Sequence, residues 1–283
     1  MVYNKIKILR IVALLKGRME DIMNKIGLQI FTVRDYFKFP EMAKATFRKM
    51  AEIGYTQGQT AGFYCLTPEE YAAAAKDAGV EIVGTHYDWD QIINNTDETM
   101  RIHDVLGTTN IGIGGMPGFA RETKEGLLRF IEQANEVAAK INKFGYKFTY
   151  HNHSFEFKKF DGKTMFDYLV EGLDPKTCSF VLDTYWVQHG GADVRATIEK
   201  LAGRIDILHL KDMGACGGEK GNVPYITSIG NGNINFADII PLAEKTGVSS
   251  FVVEQDTNWV DNDPFKAIKD SYDYLRATGL LVD

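Results

Sequence analysis

The feature that most constrains the fold is a strict alternation of strand-like and helical segments beginning at Ile26. Short apolar runs of strand length lie at residues 26–31, 55–60, 81–86, 109–114, 146–151, 179–183, 205–210 and 250–254. Helical patterns separate them at residues 41–53, 68–78, 97–105, 124–144, 165–172, 194–202, 236–246 and 264–277. Such alternation predicts a parallel sheet with right-handed crossovers. Eight units without a break in composition favour a closed (β/α)8 TIM barrel, an α/β fold in a single domain, over an open doubly wound sheet.

Cap and turn residues support these boundaries. Thr67 followed by Pro68 and Glu70 has the pattern of a capping box with proline in the first helical turn. Glycines that predict left-handed helix ends follow four of the helical patterns, at Gly54, Gly79, Gly145 and Gly247. A chain of 283 residues that is 45% hydrophobic can fill one barrel core, so residues 26–283 are predicted to form one catalytic domain.

Residues 1–25 form an N-terminal extension that is basic and carries an apolar patch. The apolar run at residues 11–15 is too short for a signal peptide or a membrane span, and no small-residue cleavage site follows it. We expect a surface extension, either a short amphipathic helix or a consequence of the start-codon choice, since Met23 lies just before the first strand. Three cysteines without CxxC spacing indicate a reducing compartment, and we expect a cytoplasmic protein.

Polar residues stand at or near the ends of the last three predicted strands. Asp183 and Glu254 each end an apolar run, and His209 takes the equivalent place after Ile-Leu. A carboxylate there is costly unless it is paired or bound to a metal, and a salt bridge or helix cap is the alternative for either one alone. Together the three residues predict a divalent-cation site of mixed O and N ligands at the C-terminal face, where barrel active sites lie.

The fifth predicted strand ends in a dense polar cluster, YHNHSFEF, which offers His151, His153 and Glu156. Spacing does not decide which of them binds the metal, and the others remain available for acid–base chemistry or hydrogen bonds. Lys211 is expected to face the barrel mouth with His209, because strand residues two apart point the same way. It can then hold a substrate hydroxyl or an oxyanion.

Other residues are placed by the pattern alone. Asp212 or Asp183 is expected to orient the His209 imidazole. His103 lies in a helical pattern and is expected at the surface. The glycine- and asparagine-rich stretch 211–233 is expected to be a long loop that contacts substrate or forms a lid.

Seven segments of this sequence resemble, in order, one known family. They are GLQIFTVRD, GTH, YHNHSFEF, LDTYWVQHGG, HLKDM, IGNGNINF and VVEQD, and they span about residues 26–280. They are similar to the xylose-isomerase-like TIM-barrel family of sugar phosphate isomerases and epimerases, especially its members with a YHNH-type fifth strand.

The resemblance implies one divalent metal, manganese first, with zinc, cobalt and magnesium as alternatives. The family binds it through Glu, Asp, His and Glu, which places Asp183, His209 and Glu254 in three of the four positions. The usual first glutamate is replaced at the strand end by His151, so Glu156 is expected as the first ligand, with His151 or His153 in reserve.

The resemblance also implies catalytic roles. Glu156 and Glu254 would accept and donate the proton on opposite faces of an enediolate. A histidine usual three residues after the aspartate ligand is replaced by Trp186, which argues against a simple ketose 3-epimerase. Substrate contacts are expected from His86, His151, His153, Trp186, Lys211 and Gln29.

The leading functional prediction is a metal-dependent isomerase or epimerase of a keto-sugar or related polyol. The alternative is a lyase or dehydratase that uses the same enediolate on a 3-keto-glycoside or keto-inositol. An endonuclease-type hydrolase would need more histidines and a basic groove, whereas the net charge is −6 with no long basic run. A non-catalytic sugar-binding barrel would have lost a ligand. We therefore expect a small sugar as partner, no nucleic acid, no membrane, and a homodimer as a further option.

Overall fold

Eight parallel strands form the barrel that the alternation predicts. The structure is a computed structural model that describes residues 26–217 and 223–280, so the N-terminal extension predicted at residues 1–25 lies outside the described residues. The barrel strands are β1 Ile26–Gln29, β2 Gln57–Thr60, β3 Glu81–Thr85, β4 Asn110–Ile113, β5 Lys147–His151, β6 Cys178–Asp183, β7 Ile205–Leu210 and β8 Ser250–Val253. Their order in the sheet is β3-β2-β1-β8-β7-β6-β5-β4, with every hydrogen-bonded pair parallel.

The barrel is nearly closed, with a seam between its edge strands β3 and β4. Asn110 Nδ2 donates to Val83 O at 2.9 Å at one end of the seam, and Tyr87 N donates to Gly112 O at 2.7 Å at the other. A Cβ on Gly112 would lie 2.3 Å from Thr85 O, so only glycine permits this approach of the two strands. Between β3 and β4, hydrogen bonds from side chains and from one loop amide therefore replace the regular backbone ladder.

In the part of the chain that the structure describes, eight of the helices follow the eight strands and cover the outside of the barrel. They are α1 Pro40–Ile53, α2 Pro68–Asp77, α3 Thr96–Leu106, α4 Lys124–Asn142, α5 Met165–Gly172, α6 Val194–Lys200, α7 Phe236–Lys245 and α8 Pro264–Ala277. The predicted capping box at Thr67 and Glu70 is present, and Asp263 caps α8. In α4 the buried positions recur every three or four residues, from Leu127 through Phe130 and Ala134 to Ile141. The helices thus bury one apolar stripe each against the strands.

A small apolar layer fills the barrel beneath its C-terminal face. It consists of Val83, Val181, Ile207 and Val252, all buried and separate from the larger core between strands and helices. Val181, Ile207 and Val252 stand two residues before Asp183, His209 and Glu254. Because side chains alternate along a strand, each polar residue lies on the same inward face, one layer above its branched neighbour.

Several local expectations were wrong. β1 ends at Gln29 and passes into the 3-10 turn Ile30–Tyr36, where the Gln29 side chain accepts a hydrogen bond from Phe31 N. The stretch 211–233 contains an antiparallel hairpin of Asp212–Cys216 with Val223–Thr227. His103 is fully buried in α3 rather than exposed. Its ring nitrogens form hydrogen bonds with Thr85 Oγ1 at 2.8 Å and Thr99 O at 2.7 Å, which satisfy the buried imidazole. Among the described residues, no helix is both long and apolar enough to span a bilayer.

Candidate metal centre and active site

Four buried side chains converge at the C-terminal face of the barrel. His151 ends β5, Asp183 ends β6, His209 lies near the end of β7, and Glu254 directly follows β8. One ligand atom from each of the four lies within 4.8 Å of all the others. A metal with bonds of about 2.0–2.2 Å holds opposite ligand atoms up to about 4.4 Å apart. Small side-chain adjustments therefore suffice for these four residues to hold a divalent cation, and two carboxylates with two imidazoles suit such an ion.

A chain of hydrogen bonds fixes the His209 imidazole. Gln59 Oε1 accepts from Gln29 Nε2 at 2.9 Å and from His209 Nε2. This places the proton on Nε2 and leaves His209 Nδ1 facing Glu254 Oε2 at 2.8 Å and Asp183 Oδ2 at 3.7 Å. Burial lowers the pKa of His209, but the charges of Glu254 and Asp183 outweigh it and raise that pKa to about 9. The predicted orienting residues Asp212 and Asp183 are thus replaced in this role by Gln59.

The same chain of hydrogen bonds extends through Gln29 to His86, which lines the pocket. Gln29 Nε2 also approaches His86 Nδ1 at 3.4 Å, which leaves His86 Nε2 as the N–H of the ring. That Nε2 is buried and has no protein partner. Burial, together with the neighbouring His151, holds the pKa of His86 well below its usual range, so the imidazole is neutral. His86 thus lines the pocket with one buried hydrogen-bond donor that has no protein partner, while Gln29 contacts the other ring nitrogen.

Asp183 has one oxygen for structure and one for the site. Its Oδ1 accepts from Trp186 N at 2.9 Å and caps the short helix Thr184–His189, while Asn152 Oδ1 accepts from Asp183 N at 2.9 Å. Its Oδ2 faces His151 Nε2 at 3.4 Å. His151 Nδ1 lies 3.2 Å from Gly114 O, which accepts its proton and turns Nε2 toward the cluster. Asp183 can therefore cap the helix through Oδ1 and still offer Oδ2 to a metal ion.

Lys211 is a fully buried cation shared among three carboxylates. Its Nζ lies 3.4 Å from Asp183 Oδ2, 3.1 Å from Glu254 Oε2 and 2.7 Å from Asp256 Oδ2. Burial opposes the charge, but the three carboxylates raise the pKa of Lys211 above its usual value, and Lys211 with His209 holds that of Glu254 well below its own. Asp256 was not anticipated, although it stands two residues beyond Glu254.

Glu156 is not brought into the group of four. It is fully buried, its Oε1 accepts from Tyr150 OH at 2.7 Å, and its Oε2 accepts from His153 N at 2.9 Å. Burial raises the pKa of Glu156 to about 7, against the lowering effect of the Tyr150 hydrogen bond. The expected first ligand thus anchors the turn after β5, and His151, one of the two residues held in reserve, lies in the cluster in its place.

A cavity of about 550 Å³ opens above the cluster. Its walls include His86, His151, His153, Lys211 and Glu254. Trp186 lies behind this wall, with its ring 5.3 Å from His153 and 5.2 Å from Lys211 Nζ, rather than on it. Arg121 and Asp256 also line the cavity and were missed from the sequence.

Asp212 fastens the segment that follows the hairpin. Its carboxylate accepts from four backbone amides, Met213 at 2.8 Å, Gly230 and Gly232 at 2.9 Å, and Ile234 at 3.2 Å. A Cβ on Gly232 would lie 2.3 Å from Asp212 Oδ1, so glycine is required there. The HLKD segment therefore serves three purposes. His209 belongs to the cluster, Lys211 lines the cavity, and Asp212 anchors residues 230–234.

The chain has similar solved structures. A sugar phosphate isomerase/epimerase from Parabacteroides distasonis is 24% identical over 91% of this chain and 95% of its own, with a TM-score of 0.75. A probable 3-DHS dehydratase from Bacillus anthracis is 14% identical over 89% and 98%, with a TM-score of 0.68. A xylose isomerase-like protein from Mycobacterium smegmatis in complex with magnesium is 15% identical over 89% and 95%, with a TM-score of 0.66. At these identities the likeness establishes the fold.

The sequence comparisons give the family. No curated protein matches this chain. A family model described as xylose isomerase-like TIM barrel matches residues 47–278, which span seven of the eight strands and all four converging residues. The chain belongs to the xylose isomerase-like TIM-barrel family.

Proposed function

We propose that this protein is a divalent-metal-dependent isomerase or epimerase of a keto-sugar or related polyol. The observation that supports it most is the convergence of two carboxylates and two imidazoles within 4.8 Å at the floor of a cavity of about 550 Å³. A small sugar fits this volume, because small-molecule sites typically measure about 300–1,000 Å³. The isomerase/epimerase from Parabacteroides distasonis and the magnesium-bound relative agree with this reading.

The metal would be held by His151, Asp183, His209 and Glu254. When bound there, it would polarise the substrate carbonyl and stabilise the charge of an enediolate. Manganese remains our first expectation, with zinc, cobalt and magnesium as alternatives. This ligand set keeps three of the four predicted residues and replaces Glu156 by His151, since both Glu156 oxygens are engaged elsewhere.

Proton transfer falls to groups on the cavity wall. Glu254 is the base, because it lines the cavity and Lys211 and His209 keep it ionised. Lys211 offers its ammonium to the oxyanion that develops next to the carbonyl. His86 supplies the second proton-transfer group, because it lines the cavity and its buried Nε2–H has no protein partner. Glu156 supports this machinery from outside the cavity.

A lyase or dehydratase is the second candidate, and Asp256 favours it. Asp256 lines the cavity, its Oδ1 is buried without a partner, and burial next to Glu254 raises its pKa to about 7. With a pKa near 7, Asp256 pairs with Lys211 as a carboxylate and can also take up a proton and donate it to a leaving oxygen, a step that an epimerase does not need. The probable 3-DHS dehydratase from Bacillus anthracis, which has a similar fold, agrees with this second candidate.

The experiment is a deuterium-exchange NMR screen of keto-sugars with the purified protein and added manganese. We expect solvent deuterium to enter next to the carbonyl, either with a new epimer or with a released leaving group. Glu254→Gln should lower this exchange by about 10²- to 10⁴-fold and leave the circular dichroism spectrum unchanged. Glu244→Gln, in α7 and away from the cavity, is the matched control. Exchange that persists near the wild-type rate in Glu254→Gln, or that a chelator does not affect, would overturn the proposal.

A further inference from the structure

Beyond the metal-facing residues, the wall of the cavity formed by the loops after β4 and β5 carries a second set of polar groups. Arg121 and His153 both line this wall, together with Gly115. A Cβ on Gly115 would lie 3.3 Å from His153 Nδ1 and 3.7 Å from Arg121 Nη2, so the two nitrogens border one small space that glycine leaves open. Gly115 also has a φ of +156°, which side-chain-bearing residues rarely adopt.

The guanidinium of Arg121 is held in place by groups that leave its far end free. Arg121 Nε donates to Met116 O at 2.8 Å, and the guanidinium lies 4.4 Å from the centre of the Phe155 ring. No carboxylate of the described residues lies within 4.0 Å of it, whereas the other cation of the cavity, Lys211, contacts three. The fixed Nε and the stacked plane orient the two Nη groups, which is the arrangement that binds a carboxylate or phosphate through two parallel bonds.

His153 is equally well supported. The buried carboxylate of Glu156 accepts from its backbone N–H at 2.9 Å, and Phe155 stacks against its ring with 5.5 Å between centres. Phe155 thus supports both His153 and Arg121. The Nδ1 atom of His153 is buried and has no partner in the protein. A buried polar atom without a partner is costly, so this nitrogen is suited to a ligand atom.

We propose that Arg121 and His153 form an anion subsite at the side of the cavity, and that the substrate carries a carboxylate or a phosphate remote from its carbonyl. The inference rests on the proposed function, because it places the reacting end of that substrate at Glu254. The cavity continues from Glu254 to Arg121, so one molecule can reach both ends. Asp88 and Asp90 also line the cavity, but neither forms an ion pair with Arg121 among the described residues, and Asp88 caps the helix Trp89–Asn94 by accepting from Gln91 N.

Binding measured without turnover tests the subsite. The full-length protein, its metal removed by chelation and dialysis, is titrated with inorganic phosphate, acetate and glycerol by isothermal titration calorimetry. We expect binding of one or both anions and none of glycerol. Arg121→Met should weaken anion binding about 10- to 100-fold, since hydrogen bonds to charged groups contribute strongly. Arg129→Met is the matched control, because Arg129 also stacks on an aromatic ring, Phe119 at 4.3 Å, and should bind as the wild type does.

The outcomes separate the two anion chemistries and the two proposals. Tighter phosphate binding assigns a phosphate ester, and tighter acetate binding assigns a sugar acid. Equal anion binding by Arg121→Met and the wild type, or no anion binding by the wild type at millimolar concentration, overturns the subsite. Deuterium exchange into dihydroxyacetone, compared with its phosphate ester, isolates the proposed function. If the wild-type protein catalyses deuterium exchange into neither compound, the result counts against metal-dependent enolisation. The calorimetric measurement of anion binding is unaffected by that outcome.

Discussion

Replacing the buried Lys211 tests how the carboxylates of the site are held together. Its ammonium lies 2.7, 3.1 and 3.4 Å from oxygens of Asp256, Glu254 and Asp183. Each contact near 3 Å is worth about 5 kcal/mol at an effective dielectric constant of about 20, but the desolvation of these charges offsets most of that sum. Removing one partner of such a buried group costs about 3–5 kcal/mol, because uncompensated charge remains. Lys211→Met should therefore destabilise the protein by about that amount at pH 7.

The measurement is the unfolding midpoint from differential scanning calorimetry after chelation and dialysis. For a chain of 283 residues, with an unfolding entropy of about 2.1 cal/mol/K per residue, about 3–5 kcal/mol corresponds to a drop of about 5–8 °C. The pKa of Glu254 is held below its usual value in the wild type, so its stabilisation is present at neutral pH and lost as pH falls through the folded-state pKa. The deficit of Lys211→Met should therefore shrink as the pH is lowered from 7 toward 4, where protonation removes the uncompensated charge.

Two comparisons make the test specific. Lys266→Met removes a surface pair with Asp261 and should change stability by no more than about 1 kcal/mol. Manganese should restore part of the midpoint of Lys211→Met, because the ion supplies the missing positive charge. A deficit below about 1 kcal/mol at pH 7, or one that grows on acidification, would refute the assignment of Lys211 as the shared counter-charge.

Three further predictions follow from the same structure. Burial lowers the pKa of His103 from 6.5 to about 4. The free energy of unfolding should therefore fall by about 3 kcal/mol as the pH drops from above 6.5 to below 4. Urea titrations of His103→Gln should not show this loss. Asp212→Ala removes the carboxylate that accepts from four backbone amides, so amide hydrogen exchange at residues 228–234 should accelerate at least tenfold. Unchanged protection of these amides would contradict the role of Asp212 as the anchor of this segment. Manganese at 100 times its Kd should stabilise the wild type by about 2.7 kcal/mol, seen in thermal scans, and His209→Ala should lose this shift.

The sequence predicts the barrel well because strand and helix periods are local. The apolar runs, the capping box at Thr67 and the left-handed glycines such as Gly54 all act over a few residues, and the structure contains them. The expectation for His103 failed because its burial depends on Thr85, a partner from a strand 18 residues away. Helical spacing alone does not reveal such a partner.

The candidate site is predicted less evenly. Asp183, His209 and Glu254 converge because strand ends in a barrel meet by topology, which a single sequence can reveal. Glu156 does not join them, because the 3-10 turn Phe155–Phe157 carries its carboxylate to Tyr150 and the His153 amide. Gln59, the partner of His209, lies 150 residues away in the chain, and only the closed sheet places them together.

The seam between β3 and β4 has a consequence for the width of the cavity. His86 follows β3 and Gly114 follows β4, and the two residues line the cavity in contact across the seam, since a Cβ on Gly114 would lie 3.2 Å from His86 Nδ1. Elsewhere in the barrel, separating two neighbouring strands breaks a backbone ladder, but here it breaks the Asn110 bond to Val83 and few others. Separating β3 from β4 would therefore break fewer backbone hydrogen bonds than separating any of the seven laddered pairs. Such a separation would widen the cavity between His86 and Gly114, while the cluster on β5 to β8 would keep its geometry.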